Sequence, residues 1–276
     1  MSHNNSSSKI PNILTIAGSD SGGGAGIQAD IKAISATGGY ACSAITALTA
    51  QNTQGVQSIF PVSPSFVAEQ LDAIFSDMDI AAVKIGMLND SQIIEVIAQK
   101  LKHYNLMNVV LDPVMVATSG DPLIQPKAIE TLKQCLIPLV DVLTPNLPEI
   151  ELLLGSQKSH TEAQMSELIE KVQSCPTFND VDVLLKGGHF QGSQSTDWLI
   201  RAHQVTSFSH PRIVTPNTHG TGCSLSSAIA CYLGQGENLN QAVEKAKAYL
   251  SQALQASDQL SVGKGSGPVH HFYAFH

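Results

Sequence analysis

The chain predicts an α/β fold, a three-layer α/β/α sandwich with a mostly parallel central sheet and helices on both faces. Two observations carry this expectation. Short apolar runs, several rich in Val and Ile, alternate with segments of helical periodicity along nearly the whole chain, and a βαβα order of that kind yields a parallel sheet. Hydrophobic residues make up 43% and charged residues only 14% of the 276 positions, a balance that suits elements packed on both faces.

In chain order, strands are expected over 12–17, 44–49, 81–85, 108–111, 140–144, 182–186, 197–201 and 205–208. Helices are expected over 26–37, 64–76, 91–104, 126–135, 147–154, 161–173, 222–234 and 240–256. The last two strands, interrupted by His203, read as an antiparallel edge hairpin. No composition break or repeat is visible, so one domain over 10–276 is expected after a Ser/Asn-rich flexible tail over 1–9, with the glycine-rich stretch 263–267 as a second loose segment.

Composition also excludes function classes. The net charge is −8 and no basic stretch is present, which argues against binding a nucleic-acid backbone. The five cysteines are odd in number and contain no C-x-x-C pair, so neither a disulfide framework nor a zinc site is suggested, and a reducing cytoplasm is the expected location. The start lacks the pattern of a signal peptide, and no apolar run approaches the roughly 18 residues of a membrane span.

The most informative segment is Asn217-Thr218-His219-Gly220-Thr221-Gly222-Cys223, followed at once by an apolar helical stretch. Two glycines let the backbone turn tightly and aim consecutive N–H groups at one spot, and the helix that starts there adds the positive end of its dipole. Gly220, Thr221 and Gly222 therefore read as a phosphate cradle. A cysteine at a helix N-terminus is expected to have a lowered thiol pKa, which makes Cys223 a nucleophile or base candidate. The plainer reading is a capped helix with a small buried cysteine.

The first strand runs into Gly18-Ser19-Asp20-Ser21-Gly22-Gly23-Gly24-Ala25-Gly26. Within it, Gly24 to Ala29 formally matches the dinucleotide fingerprint, yet 31–68 contains no Asp or Glu to bind a ribose. No G-x-x-x-x-G-K-[ST] is present either. The glycines instead bring bare backbone close to a small ligand. Asp30, one turn into the helix, either offers that ligand a carboxylate or is a solvated first-turn acid. Gln51, at the end of a strand, carries an amide suited to a heterocycle edge, or is an ordinary loop amide.

Three further strand ends carry polar groups of a nucleotide and Mg²⁺ site: Asp112-Pro113, Thr144-Pro145-Asn146-Leu147-Pro148-Glu149 and Lys186-Gly187-Gly188-His189. Mg²⁺ leans on one or two carboxylates plus nucleotide phosphates, which Asp112 and Glu149 would supply. Lys186 would offset charge on the phosphates being separated. Singly, each is more often a cap or surface charge; together, beyond the same sheet edge as the loop from His219 to Cys223, they point to a phosphoryl-transfer site. The other histidines, including His270 and His271, lack metal spacing and read as structural or surface residues.

These motifs carry a family resemblance from about Ile13 to Phe272. Ala17-Gly18-Ser19-Asp20 with Gly23 to Asp30, Ala50-Gln51-Asn52-Thr53, Lys84-Ile85-Gly86-Met87-Leu88, Thr144 to Glu149, Lys186 to His189 and Thr218 to Cys223 resemble the hydroxymethylpyrimidine/phosphomethylpyrimidine kinases of thiamine biosynthesis, in the ribokinase-like superfamily. The resemblance implies two successive ATP-dependent phosphorylations, of 4-amino-5-hydroxymethyl-2-methylpyrimidine and then of its monophosphate. It implies pyrimidine contacts from Gln51 and Asp30, with Gly18, Ala25, Met87 and Val114 lining the pocket. Asp112, Asn146, Glu149, Lys186 and Gly220 to Gly222 fall on the Mg²⁺–ATP side, with Cys223 as the base, and a homodimer is implied. One departure stands out: the family commonly has Asp-Pro-Ser-Gly-Gly where this chain has Asp20-Ser21-Gly22-Gly23, which frees the loop.

Pyridoxal kinases share the scaffold and, in some cases, the cysteine loop; Gln51 and Met87 favour the pyrimidine. A metabolite-binding regulator that has lost catalysis predicts a broken Mg²⁺ or base position, whereas Glu149, Lys186 and Cys223 all stand. An NAD oxidoreductase is the weakest of the alternatives.

Overall fold

β1 (Asn12–Asp20) shows why the sheet is covered twice: Ile13 and Leu14 have no exposed surface, and they join two different apolar clusters. Successive strand side chains point to opposite faces, so a strand apolar at consecutive positions needs cover on both. The computed structural model describes residues 9–115, 123–156, 164–188 and 192–275. The tail expected over 1–9 and the beginning of the helix expected from Thr161 lie largely outside them.

Eight further strands are β2 (Tyr40–Asn52), β3 (Gly55–Pro61), β4 (Ile80–Ile85), β5 (Val109–Leu111), β6 (Val142–Leu143), β7 (Asp182–Leu185), β8 (Gln194–Ile200) and β9 (Val205–Pro211). They form one sheet in the order β3-β2-β1-β4-β5-β6-β7-β8-β9. The pairings from β2 through β7 are parallel, and β3, β8 and β9 are added antiparallel at the edges. The β8–β9 hairpin matches expectation. β3 is not among the expected strands, because Val56-Gln57-Ser58-Ile59-Phe60 lacks strict alternation and its face is mostly exposed.

Helices α1 (Gly26–Ala36), α7 (Thr221–Gly234) and α8 (Leu239–Gln255) cover one face. α2 (Pro64–Phe75), α3 (Ser91–Tyr104), α4 (Pro126–Thr131), α5 (Leu147–Leu153) and α6 (Met165–Ser174) cover the other. The ends follow local chemistry: Asp90 caps α3 through the Gln92 N–H, and Asn105 closes it in the left-handed conformation. Among the described residues, no helix is long and apolar enough to cross a membrane.

The segment around 263–267 is not loose. Thr53 Oγ1 accepts the N–H groups of Lys264 and Gly265 at 3.1 and 3.0 Å, the Thr53 carbonyl accepts that of Ser266 at 3.0 Å, and the Gly267 carbonyl accepts that of His219 at 3.0 Å. Backbone hydrogen bonds tie it to two distant loops, a signal that its glycine content hides.

One ion pair joins four elements. Lys84 of β4 donates to both Asp30 oxygens of α1 at 2.8 and 2.9 Å, and Thr15 of β1 and Ser227 of α7 donate to the same carboxylate at 2.6 and 2.8 Å. Both charged side chains are without exposed surface. Removing one member leaves a buried charge unpaired, so Lys84→Met is expected to lower stability by roughly 3–5 kcal/mol, and Lys84→Met combined with Asp30→Leu to recover most of it. Urea unfolding of the two variants checks this.

Candidate active site

β1 is flanked by β2 on one side and β4 on the other, and its carboxyl end is where the chain's crossovers leave in opposite directions. Open α/β sheets bind ligands in the crevice at such a point. A cavity lies there, lined from β1 and its loop by Gly18, Asp20 and Ala25, from β2 by Gln51, and from β4 and beyond by Lys84 and Met87. Its other wall holds Asp112, Val114, Asn146, Glu149, Lys186, Gly220, Gly222 and Cys223. Thr221 lines an adjoining depression that shares Lys186 and Gly222 with the cavity.

Two helices begin at this cavity. Gly220, with φ +79°, precedes α7, and Ala25 precedes α1; neither helix receives a side-chain cap. The positive dipole ends of both helices and the first-turn N–H groups left without a protein acceptor therefore favour an anion between them; the Thr221 N–H is already taken by the Thr218 carbonyl. The Ser224 hydroxyl donates to the Gly220 carbonyl at 2.7 Å and meets His271 Nε2 at 2.8 Å. Burial pushes the His271 pKa down to about 3, so the ring is neutral and structural. Being buried, neither His270 nor His271 is a surface residue.

The cation and carboxylates sit together as the motifs suggested. Lys186 Nζ lies 2.7 Å from Asp112 and 3.9 Å from Glu149. Burial opposes its charge, but the two carboxylates hold the ammonium above its usual pKa. Glu149 and Asn146 form a capping box at the start of α5, with N–H to side-chain distances of 2.8 and 2.9 Å, so the cap reading and the site reading are both true. Burial pushes Glu149 up to about 7, with Lys186 opposing and Asp112 adding to the rise. Among the described residues no three metal-ligating side chains cluster. His189 lies outside those residues.

Two expectations need correction. Asp30 does not face the cavity and is not a solvated acid: it has no exposed surface and its oxygens are taken by Lys84, Thr15 and Ser227. It is the counter-charge of Lys84, which does line the cavity. Second, the Cys223 thiol is not lowered. Burial pushes it up to about 11, against opposing help from the Lys84 charge and a hydrogen bond from the Gly26 N–H. Burial at the helix start outweighs the dipole.

Lys84, Asp20 and His219 were missed as cavity residues. A lysine in the middle of the apolar run Ile80 to Leu88 was a usable signal, because a buried charge needs a partner. The pairing of His219 with Asp20, 2.9 Å apart, had none, being set by two loops meeting across the fold.

A model of the family described as phosphomethylpyrimidine kinase matches residues 20–270. The hydroxymethylpyrimidine/phosphomethylpyrimidine kinase of Escherichia coli (strain K12) is 51% identical over 264 residues, 96% of this chain and 98% of that protein. Among solved structures, an ADP complex of Bacillus subtilis pyridoxal kinase matches with a TM-score of 0.86 at 33% identity, covering 96% of this chain and 98% of that one. Phosphomethylpyrimidine kinase from Clostridium difficile 630 matches with a TM-score of 0.75 at 41% identity, covering 88% and 99%.

A Cβ at Gly220 would run into the Gly24 carbonyl oxygen, and φ there is left-handed. Gly220→Ala is expected to displace the α7 N–H groups and lower phosphoryl transfer by about 10²-fold, the scale of an ångström-sized misplacement. Turnover measured on the folded variant checks it.

Proposed function

The chain belongs to the phosphomethylpyrimidine kinase family, and we propose that this cavity carries out its two phosphoryl transfers from ATP, to the hydroxymethyl oxygen of 4-amino-5-hydroxymethyl-2-methylpyrimidine and then to the resulting monophosphate. One kinase domain over 10–276, working in the cytoplasm, suffices for both. The observation that carries the reading is the convergence of two uncapped helix N-termini, Lys186 and Cys223 on one cavity. The scaffold alone does not separate pyrimidine from pyridoxal, since a pyridoxal kinase matches it well. The 51% identical relative and the family match favour the pyrimidine.

The roles follow from position. Gln51, Gly18, Ala25, Met87 and Val114 surround the pyrimidine at one end. The γ-phosphate lies between the two helix starts, and the rest of the nucleotide extends over Thr221 into the adjoining depression. Asp112 and Glu149 fit Mg²⁺: both are buried oxygen donors, and the rise of Glu149 to about 7, driven by burial with Asp112 adding to it, is one that a nearby cation would reverse. When bound there, the ion would neutralise phosphate charge. Lys186 stabilises the transferring group, and the Gly220 and Gly222 N–H groups hold its equatorial oxygens, while the Thr221 N–H is kept by the Thr218 carbonyl at 3.3 Å.

Cys223 rests as a thiol. The form that takes the alcohol proton is its thiolate, a minority species reached by loss of the thiol proton to water and favoured by Lys84 and the Gly26 N–H. Greater base strength offsets only part of the lost thiolate population, so the first transfer is limited by how much of Cys223 is ionised. The second acceptor, a phosphate monoester with a second pKa near about 6, needs no base.

Cys223→Ala is therefore expected to slow the first phosphorylation by about 10²-fold or more and the second much less. In the unsubstituted chain, the first rate is expected to rise with pH below about 11 as the thiolate fraction grows, a rise that Cys223→Ala removes. ADP release measured with each acceptor separately, and with pyridoxal as a third, reads this out. Equal losses on both acceptors would remove the base role, and preference for pyridoxal would overturn the substrate.

We propose a homodimer as well. Leu48 and Phe60 are paired across β2 and β3 and are 45% and 69% exposed, an apolar edge that a second copy would cover. Sedimentation is expected to give twice the chain mass, and Phe60→Glu to give the chain mass alone.

A further inference from the structure

We propose that Asp20 and His219 form a clasp that positions the two glycine loops and, through them, the Cys223 sulfur for transfer to the alcohol. The inference rests on the kinase reading of the cavity.

Asp20 ends β1 with 3% of its surface exposed, and its two oxygens take four donors. Oδ1 accepts the Gly22 N–H at 2.8 Å, and Oδ2 accepts Gly24 N–H at 3.0 Å, Ala25 N–H at 2.8 Å and His219 Nε2 at 2.9 Å. An ionised carboxylate only accepts, so Nε2 carries the proton. Although burial opposes it, these bonds hold the Asp20 pKa below the usual carboxylate range. Three donors belong to the loop that opens α1, and the fourth is the residue that precedes Gly220. The carboxylate is thus a fixed anion joining chain segments 199 residues apart.

The contact is tight. A Cβ at Gly24 would strike the His219 ring, and a Cβ at Gly220 would strike the Gly24 carbonyl. His219 is held from behind as well, its N–H donating to the Gly267 carbonyl at 3.0 Å. Ala25 and Gly26 come next along the clasped loop and line the cavity together with Cys223, which lies four residues beyond His219 at the start of α7. Releasing Asp20 or His219 frees the backbone on both sides of the cavity, including the residues that lead into α7 and Cys223. Both are positioning residues: they act through the backbone they hold.

A mere structural staple would change stability and leave the ratio of the two reactions alone. The clasp serves the thiolate, so its loss falls harder on the hydroxyl acceptor than on the already ionised phosphate. The test uses the full chain as wild type, His219→Ala, His219→Gln, Asp20→Ala and His219→Ala with Asp20→Ala, assayed with ATP and each acceptor. His219→Ala is expected to lower kcat on the alcohol about 10-fold or more while its KM stays within about twofold, with a clearly smaller loss on the monophosphate. His219→Gln, whose amide N–H reaches near the Nε2 position, is expected to recover most of the loss. The double variant is expected to be no slower than the worse single one, as for residues acting as a unit. Wild-type kcat in His219→Ala, the same loss on both acceptors, or multiplied losses in the double variant would each overturn the clasp. Wild-type turnover in the same assay tests the kinase reading separately, and if Asp20→Ala does not fold, the two His219 variants decide.

Discussion

Two glycine loops meet at the end of β1 only because neither carries a side chain at the point of contact. Gly24 and Gly220 lie so close that a methyl group on either would strike the other loop. Their approach sets the N-termini of α1 and α7 on one spot, each without a side-chain cap, and the two dipoles add there. The rest of the fold supports this meeting. The C-terminal segment pairs with His219 through Pro268 and with the β2–β3 turn through Thr53, so the last part of the chain braces a site built on the first strand.

Buried charge follows the same edge of the sheet. Three ion pairs, Lys84–Asp30, Lys186–Asp112 and Lys247–Asp197, are each largely withdrawn from water. Such pairs often stabilise a fold less than apolar residues of equal volume would, so their place beside the cavity points to function rather than stability. Lys84 and Lys186 bring positive charge to where negative charge must be gathered. Asp197 acts locally, accepting the Gly187 N–H at 2.9 Å while Lys247 neutralises it, and so fixes the backbone next to Lys186.

Much of this was legible in the sequence where the signal is local. Ser91–Tyr104 was read to the residue because its apolar period is strong and both ends carry cap residues. The polar groups at the ends of β5 and β7 and at the start of α5 were recognisable as one site, because parallel strands deliver their carboxyl ends to a common edge. Asp30 was misread because its partners, Lys84 and Ser227, lie 54 and 197 residues away, and one turn into a helix looks the same whether it faces ligand or core. The Cys223 pKa was misread for a related reason: the dipole is visible in a sequence, but the depth of burial that opposes it is not.

One cavity can serve two unlike acceptors because the demand for a base falls away between them. The hydroxymethyl group must lose a proton as it takes a phosphoryl group, and in the proposed mechanism the Cys223 thiolate beside Lys84 would receive it. A sulfur ionised at all times would stand as a negative charge beside the incoming phosphates and repel them. Held high, the thiol is neutral for most of the time, both when the nucleotide arrives and when the monophosphate returns as acceptor. The second reaction then needs the cations and N–H groups but not the sulfur, and a dianionic acceptor enters against a neutral side chain. On the proposed base role, the raised Cys223 pKa would thus leave the half-buried sulfur neutral toward the anionic second acceptor.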